Sequence, residues 1–127
     1  MKQPEIPGGA GKREESSWKD AQEDHEMPIR CAFCRHPVTD ESQTISVEGS
    51  HNHLFANPHG MVFDICCFKE CEGAIPVSEP SSEFSWFPGY LWRVAACSFC
   101  YKHLGWLFSG ESSSFYGMIQ SHLIFTS

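Results

Sequence analysis

Two Cys-x-x-Cys pairs constrain the fold of this chain more than any other feature. One pair, CAFC, spans residues 31–34, and the other, CSFC, spans residues 97–100. Each pair can wrap one side of a tetrahedral ion, with thiolate sulphurs about 2.3 Å from zinc. Together they complete a four-thiolate shell without an open coordination position, so we predict one structural zinc ion. Its predicted ligands are Cys31, Cys34, Cys97 and Cys100.

The distance between the two pairs indicates that a whole domain lies between them. Residues 35–96 form a longer insertion than a zinc finger or a zinc ribbon contains. Two redox motifs or two disulfides are alternatives. A redox Cys-x-x-Cys normally occurs once, in a βαβ pattern that this sequence lacks. The seven cysteines are an odd number, and the N-terminus has no apolar signal segment, so we expect a cytoplasmic or nuclear chain.

The hydrophobic pattern over residues 29–127 is typical of strands. Short runs rich in β-branched and aromatic residues alternate with turn clusters of Gly, Pro, Asn and Ser, and no sustained helical period is present. We therefore predict a small all-β domain. The clearest predicted strands are Thr44–Val47, Met61–Phe68, Tyr90–Ala96 and Trp106–Phe108.

Residues 1–28 have a different composition. They contain four basic and seven acidic residues, a Pro/Gly patch and a single aromatic residue, Trp18. Such a segment cannot bury enough apolar surface to offset its ordering entropy. We predict a disordered acidic tail that precedes the folded domain.

The charge and hydropathy of the chain exclude two classes of partner. The formal net charge is −7, whereas a nucleic-acid-binding module is expected to have a basic face. No apolar run approaches the roughly 18–20 residues that a membrane-spanning helix needs. We therefore expect neither nucleic-acid binding nor membrane association, and we expect a monomer.

Three tryptophans lie close together in the second half of the sequence, at positions 86, 92 and 106. Their indole rings can line an apolar box for a flat or cationic ligand. They can equally form a core cluster, which composition alone favours. Strand alternation does not decide between these possibilities, because Pro88-Gly89 interrupts the pattern between Trp86 and Trp92.

These motifs in their order resemble the CULT domain family, the thalidomide-binding domains of cereblon and of single-domain proteins. The resemblance covers residues from about Ile29 to Phe125. Its most specific parts are the two cysteine pairs, the NPHG motif at 57–60, PSSEFSWFPGYLW at 80–92 and H-x-G-W at 103–106.

The resemblance implies a β-tent fold, in which two antiparallel sheets are pinned by the zinc ion. It also implies a cage of three tryptophans that holds the glutarimide ring of thalidomide-type drugs or a uridine-like ring, either free or as a cyclic imide on a protein. The backbone carbonyl of Phe84 would accept a hydrogen bond from the imide, and the amide of Trp86 would donate one. The implied ligand-binding residues are Asn57, Phe84, Ser85, Trp86, Trp92, Trp106 and Phe108.

The sequence departs from the family at one position of the site and in length. Animal cereblon has histidine where this chain has Phe84, so an imidazole contact would be lost while the backbone contacts survive. Cereblon also has a Lon-like domain and a helical segment that joins a ubiquitin ligase, for which this sequence has no room. We therefore do not expect a substrate-receptor role in that ligase. We expect a binding module that is not an enzyme, because the metal shell is closed and the cage presents no general base.

Two alternative functions stay open. Methionine sulfoxide reductase B is similar in fold and in its zinc-binding cysteine pairs, and one of Cys66, Cys67 and Cys71 would then be the nucleophile. In that enzyme the reactive cysteine is late in the chain, and no cysteine follows Cys100 here. The second alternative is an aromatic cage that binds methylammonium groups of a protein partner.

Overall fold

The computed structural model describes residues 27–125. Two antiparallel sheets form this part of the chain, one with three strands in the order β2-β1-β9 and one with six in the order β3-β4-β8-β7-β6-β5. The predicted all-β class with two antiparallel sheets is confirmed. The strands are β1 Pro28–Cys31, β2 Pro37–Asp40, β3 Asn52–Ala56, β4 Val62–Phe68, β5 Ala74–Pro76, β6 Leu91–Cys97, β7 His103–Ser109, β8 Ser114–Ile119 and β9 Leu123–Phe125.

Helical structure within residues 27–125 is confined to two short 3-10 turns, Glu41–Gln43 and Gln120–His122. Neither of them approaches the length or the apolar character that crossing a membrane requires, and no other helix occurs in this range. The architecture of these residues therefore depends on strand pairing and on the packing of the two sheets.

Three of the four predicted strands are confirmed, as β4, β6 and β7. The prediction of a strand over Thr44–Val47 is wrong. This segment makes only isolated bridges, from Thr44 to Phe68 and from Val47 to Ser50. The chain turns back immediately afterwards, at two consecutive residues with positive φ, Glu48 (53°) and Gly49 (88°). The turn ends the extended segment before a continuous ladder can form.

The predicted acidic tail lies almost entirely outside the described residues. Its last residue, Pro28, begins β1, so the folded part starts at least one residue earlier than predicted. The next residue, Ile29, is buried at 1% exposure and pairs with β2 and β9. Burial of the Ile29 side chain stabilises β1 in the small sheet.

The large sheet has a different core on each face. The face towards the small sheet carries a cluster that includes Ile29, Val38, Phe68, Leu104 and Met118. The opposite face carries an aromatic cluster with a buried centre and a partly buried margin. Its buried members are Cys67, Phe87, Phe108 and Phe115.

One glycine joins the small sheet to the second cysteine pair. The Gly73 N–H donates to the Val38 carbonyl of β2 at 2.9 Å, and the Gly73 carbonyl accepts from the Ser98 N–H at 2.9 Å. A Cβ atom at this position would lie 2.0 Å from the carbonyl oxygen of Pro37. Only glycine allows the two backbones to approach this closely.

The register of two strands determines which aromatic side chains share a face. In the β6–β7 pair, Trp92 lies opposite Phe108 and Val94 lies opposite Trp106. Side chains directly across an antiparallel pair, and two residues apart along each strand, point to the same side of the sheet. Two of the three tryptophans are therefore placed on one face by backbone pairing.

Candidate functional site

The four predicted zinc ligands converge at the junction of the two cysteine pairs. The Sγ atoms of Cys31 and Cys100 are 3.7 Å apart, those of Cys34 and Cys97 are 3.6 Å apart, and all four lie within 4.8 Å of one another. A tetrahedron of sulphurs about 2.3 Å from a central ion has edges of about 3.8 Å. The four cysteines can therefore hold one metal ion.

The two cysteine pairs have the same backbone geometry. The amides of Cys31 and Cys97 donate to the carbonyl five residues later, each at 2.9 Å. The residue after the second cysteine of each pair has positive φ: 72° at Arg35 and 66° at Tyr101. The backbone amide of this residue donates to the carbonyl of the first cysteine of its pair, Arg35 to Cys31 and Tyr101 to Cys97. Each pair thus forms the same tight turn, which brings two thiols to the centre.

The electrostatics of the cluster favour a bound cation. Burial raises the pKa of Cys34 to about 12 and raises the pKa of Cys97. Backbone amides of Phe33 and Phe99 approach the sulphurs of Cys31 and Cys97, each at 3.4 Å, and these contacts stabilise negative charge on sulphur. Four thiolates in this space nevertheless repel one another, so a divalent ion is needed to hold them ionised.

A second candidate site is an aromatic cavity of about 440 Å³ on the other face of the large sheet. Trp86 and Trp106 form a corner, with ring centroids 4.8 Å apart and an angle of 76° between the rings. Phe63 closes one side, edge-on to Trp106 at 5.3 Å. The lining consists of Asn57, Pro58, His59, Phe63, Glu83, Phe84, Trp86, Trp92, Val94, His103, Trp106 and Phe108.

The tryptophans form walls of this cavity rather than a closed core. Trp86, Trp92 and Trp106 are each half-buried, whereas the cluster beneath them is fully buried. The indole N–H of Trp86 donates to the Ala56 carbonyl at 3.2 Å, and that of Trp92 donates to the Glu83 carbonyl at 2.7 Å. Because backbone carbonyls satisfy these two indole donors, the rings offer their faces to a ligand.

Six of the seven residues predicted to bind a ligand line the cavity; Ser85 does not belong to its described lining. The Ser85 hydroxyl donates instead to the carbonyls of Tyr90 (2.8 Å) and Phe87 (3.2 Å), which orders the loop before β6. Phe108 lies at the floor, with 1% exposure and its ring 4.9 Å from that of Phe87. Whether the six residues bind a ligand stays a prediction.

Asn57 holds the turn between β3 and β4. Its side-chain Oδ1 accepts from the amides of His59 (2.9 Å) and Met61 (3.0 Å), and its carbonyl accepts from the Gly60 amide at 2.9 Å. These hydrogen bonds order the loop. The loop in turn brings Pro58 and His59 to the cavity.

Sequence reasoning did not include several lining residues among the ligand-binding residues, notably Phe63, His103 and Glu83. Phe63 lies opposite Phe55 in the β3–β4 pair, and this register is not visible in the sequence. His103 belongs to the H-x-G-W motif, which was a signal for it. Its ring lies edge-on to Trp106 at 4.8 Å, its Nε2 is 3.0 Å from the Gly105 carbonyl, and burial lowers its pKa.

The rim of the cavity presents a backbone acceptor and a backbone donor. Phe84 has φ of 55°, an unusual value for an aromatic residue, and its side chain is 72% exposed. Among residues 27–125, neither the Phe84 carbonyl nor the Trp86 amide has a protein hydrogen-bond partner. Both groups belong to residues of the cavity lining and are free to make a hydrogen bond.

The three remaining cysteines are buried and do not line the cavity. Cys66, Cys67 and Cys71 are at most 2% exposed. Burial raises the pKa of Cys66 to about 12 and that of Cys67 to about 11, and it also raises the pKa of Cys71. A nucleophilic cysteine needs an accessible thiolate, so these thiols are poor candidates for the nucleophile of a reductase.

We expect Cys66, Cys67 and Cys71 to resist alkylation in the folded protein. At pH 7.5 iodoacetamide should react with each of them more than about a hundredfold more slowly than with free cysteine, because the thiolate is scarce and inaccessible. Peptide mapping by mass spectrometry measures this, with protein in urea and chelator as the fully reactive control. Rapid labelling of any one of the three in folded protein would contradict the expectation and support the reductase alternative.

Comparison with known proteins finds relatives among the cereblons. The chain is 36% identical over 76 residues to protein cereblon of Gallus gallus, a match that covers 55% of this chain and 17% of that protein. It is 35% identical over 75 residues to protein cereblon of Danio rerio, with the same two shares. The match to protein cereblon of Drosophila erecta is 43% over 82 residues, 60% of this chain and 14% of that protein.

Each match covers 14–17% of the relative, so the chain matches only a small part of the length of these cereblons. No protein-family profile matches the chain. The identities of 35–43% over about half of the chain are consistent with a cereblon-like CULT domain.

Proposed function

Because this chain contains a region related to cereblon, we propose that it is a metal-stabilised module that binds cyclic imide or uridine-like rings in its aromatic cavity. The observation that carries this proposal is the unpaired carbonyl of Phe84 and the unpaired amide of Trp86, which lie beside the Trp86–Trp106 corner. A ring that offers one donor and one adjacent acceptor would satisfy both backbone groups.

The chemistry of an imide matches this arrangement. Its planar ring carries one N–H flanked by two carbonyl oxygens, and a uracil ring carries the same group. The N–H would donate to Phe84, and a flanking carbonyl would accept from Trp86. In an apolar cavity an unmade hydrogen bond is penalised, so a ring without this donor and acceptor would be rejected.

The size of the cavity agrees with a small ring that bears a substituent. Its volume of about 440 Å³ lies within the range of roughly 300–1,000 Å³ that is usual for small-molecule sites. Phe84 belongs to the lining and its side chain is 72% exposed, so a substituent on the bound ring can extend towards solvent beside it. The ligand can therefore be a free molecule or a cyclic imide attached to a protein.

We propose that the ion of the four-cysteine cluster is zinc and that it is structural. A shell of four thiolates is typical of structural zinc, and it leaves no coordination position for water or substrate. The cavity is lined by residues of the opposite face of the sheet, so the metal supports the fold and does not touch the ligand. On this proposal the module is not an enzyme.

The proposed site of action is the cytoplasm or the nucleus. None of the seven cysteines, all of which lie within residues 27–125, forms a disulfide, as is usual in compartments where thiols stay reduced. The proposal for partners is unchanged from the sequence: a small cyclic imide or uridine-like ligand, no nucleic acid, no membrane and a monomeric chain.

Glutarimide and N-methylglutarimide provide the direct test of the proposed hydrogen bond. We expect glutarimide to bind and its N-methyl derivative to bind roughly five- to thirtyfold more weakly, because the Phe84 carbonyl would lose its donor, a loss of about 1–2 kcal/mol. Titration calorimetry and quenching of tryptophan fluorescence measure both affinities.

Two control ligands separate this function from the alternatives. Tetramethylammonium tests the methylammonium cage, and turnover of methionine sulfoxide with a thiol reductant tests the reductase. Binding of glutarimide and uridine, with neither of the other two activities, is the expected result. Equal affinity for glutarimide and N-methylglutarimide would overturn the proposed hydrogen-bonding mode.

A further inference from the structure

One side chain gives the aromatic cavity a formal charge. Glu83 is the single carboxylate in the described lining, and the lining residues that the structure describes include no lysine or arginine. The other ionisable groups are the imidazoles of His59 and His103, and burial lowers the pKa of His103, which favours its neutral form. The mouth of the cavity is therefore acidic.

Two hydrogen bonds fix the backbone of Glu83 beside the tryptophans of the cavity. Its amide donates to the Ser81 hydroxyl at 3.1 Å, and its carbonyl accepts from the indole N–H of Trp92 at 2.7 Å. If Glu83 moved away from the cavity, the hydrogen bond between its carbonyl and the Trp92 indole N–H would be lost. The exposed side chain of Glu83 therefore starts from a fixed backbone position in the cavity lining.

The neighbouring residue supplies a second attraction for cations. Phe84 lies at the same mouth, and its ring is 72% exposed. The face of an aromatic ring is electron-rich and attracts a cationic group within about 6 Å of its centroid. A positive group close to Glu83 and Phe84 would be attracted by the carboxylate and by the aromatic ring, whereas the carboxylate would repel a negative group.

We infer that the cavity selects ligands by charge: it prefers an imide ring whose substituent carries a positive group close to the ring, and it disfavours anionic substituents. This inference rests on the proposed function, because it requires the ring to occupy the tryptophan corner and the substituent to occupy the mouth. It narrows the ligand class from cyclic imides in general to those with an ammonium or other cationic group.

Three glutarimides with one short linker at the same ring carbon test the inference. The linker ends in trimethylammonium, in the neutral isostere tert-butyl, or in carboxylate. At low salt we expect the ammonium compound to bind about three- to thirtyfold more tightly than the tert-butyl compound, as one exposed cation–π contact plus one exposed ion pair allow. The carboxylate compound should bind more weakly than both, and 0.5 M salt should reduce the differences.

A pair of matched variants assigns the preference to Glu83. Glu83→Gln should lower the ammonium to tert-butyl affinity ratio by about 1.5- to fivefold. Glu79→Gln removes an equal charge four residues away, at an exposed position outside the described lining. This control should leave the ratio as in the wild-type protein.

The outcomes distinguish this inference from the proposed function. Equal affinities of the ammonium and tert-butyl compounds would overturn the charge selection while glutarimide binding stands. Equal effects of the two variants would overturn the assignment of the selection to Glu83. If glutarimide and the tert-butyl compound both fail to bind, the proposed function fails. In that case binding of tetramethylammonium, weakened by Glu83→Gln, would leave the preference for cations in place and assign the cage to cations alone.

Discussion

Cys97→Ser is expected to abolish the folded state of this protein. Cys97 is fully buried and supplies one of four sulphurs that lie within 4.8 Å of one another. Structural zinc binding contributes about 10–16 kcal/mol in small zinc domains, which equals or exceeds the roughly 5–15 kcal/mol stability of a typical domain. We expect loss of near-UV circular dichroism, aggregation, and less than one metal ion per chain by mass spectrometry.

The control for this variant is a second buried cysteine outside the metal cluster. Cys71 is 2% exposed and belongs to the core between the two sheets. Cys71→Ala removes a thiol of the same size, and its expected effect is a destabilisation of about 0.5–3 kcal/mol in urea unfolding, with the metal content unchanged. Both variants disturb the core, but only Cys97→Ser removes a ligand from the four-cysteine metal site.

A chelator tests the same point without any substitution. Removal of the ion from the wild-type protein should unfold it, and added zinc should restore the native spectrum. Well-folded, untagged protein that contains no zinc, or a wild-type chain that keeps its near-UV signal in excess chelator, would show that the cluster does not stabilise the fold through a metal.

Trp106→Ala has the second-largest expected effect, on ligand binding. The Trp106 ring contacts Trp86 at 4.8 Å and Phe63 at 5.3 Å, so it forms the inner corner of the cavity. Loss of an aromatic wall that covers the ligand should weaken glutarimide binding by about 2–3 kcal/mol, or roughly thirty- to 150-fold. Titration calorimetry of the purified variant measures this.

The control lies next to Trp106 on the same strand. Leu107 pairs with Arg93 and Tyr116 and points to the opposite face of the sheet, so Leu107→Ala should reduce stability without a change in affinity. Trp106→Phe keeps a smaller ring and should bind with intermediate affinity. If Trp106→Ala unfolds the protein and Trp106→Phe binds as the wild type does, the tryptophan belongs to the core and the cage should be abandoned.

The metal cluster could be predicted almost completely from the sequence. Its information is local, because each Cys-x-x-Cys forms one tight turn whose geometry depends on a few neighbouring residues. The identical backbone hydrogen bonds around Cys31 and Cys97 show this independence from the rest of the fold. Only the approach of the two cysteine pairs to each other requires tertiary structure. This approach was expected, because four thiolates complete the shell of one zinc ion.

The strands were predictable where they are long and apolar, as in β4 and β6, and less so where they are short. Thr44–Val47 has the composition of a strand, yet the positive φ values of Glu48 and Gly49 turn it away after single bridges. β1, β2 and β9 have three or four residues each, and they become strands because the small sheet packs on the large one. Such short segments have too little local preference to be recognised alone.

The sequence by itself determined the all-β class, the four cysteines of the metal cluster and the group of tryptophans, because these depend on composition and on spacings of a few residues. Only the tertiary structure decided that Trp86, Trp92 and Trp106 line a cavity together with Phe63 and Glu83. It also decided that the Ser85 hydroxyl forms hydrogen bonds within its own loop instead of lining the cavity. The physical reason is that strand register selects the face on which each side chain lies. That register is fixed by contacts between residues far apart in the chain, such as Val94 with Trp106 and Phe55 with Phe63.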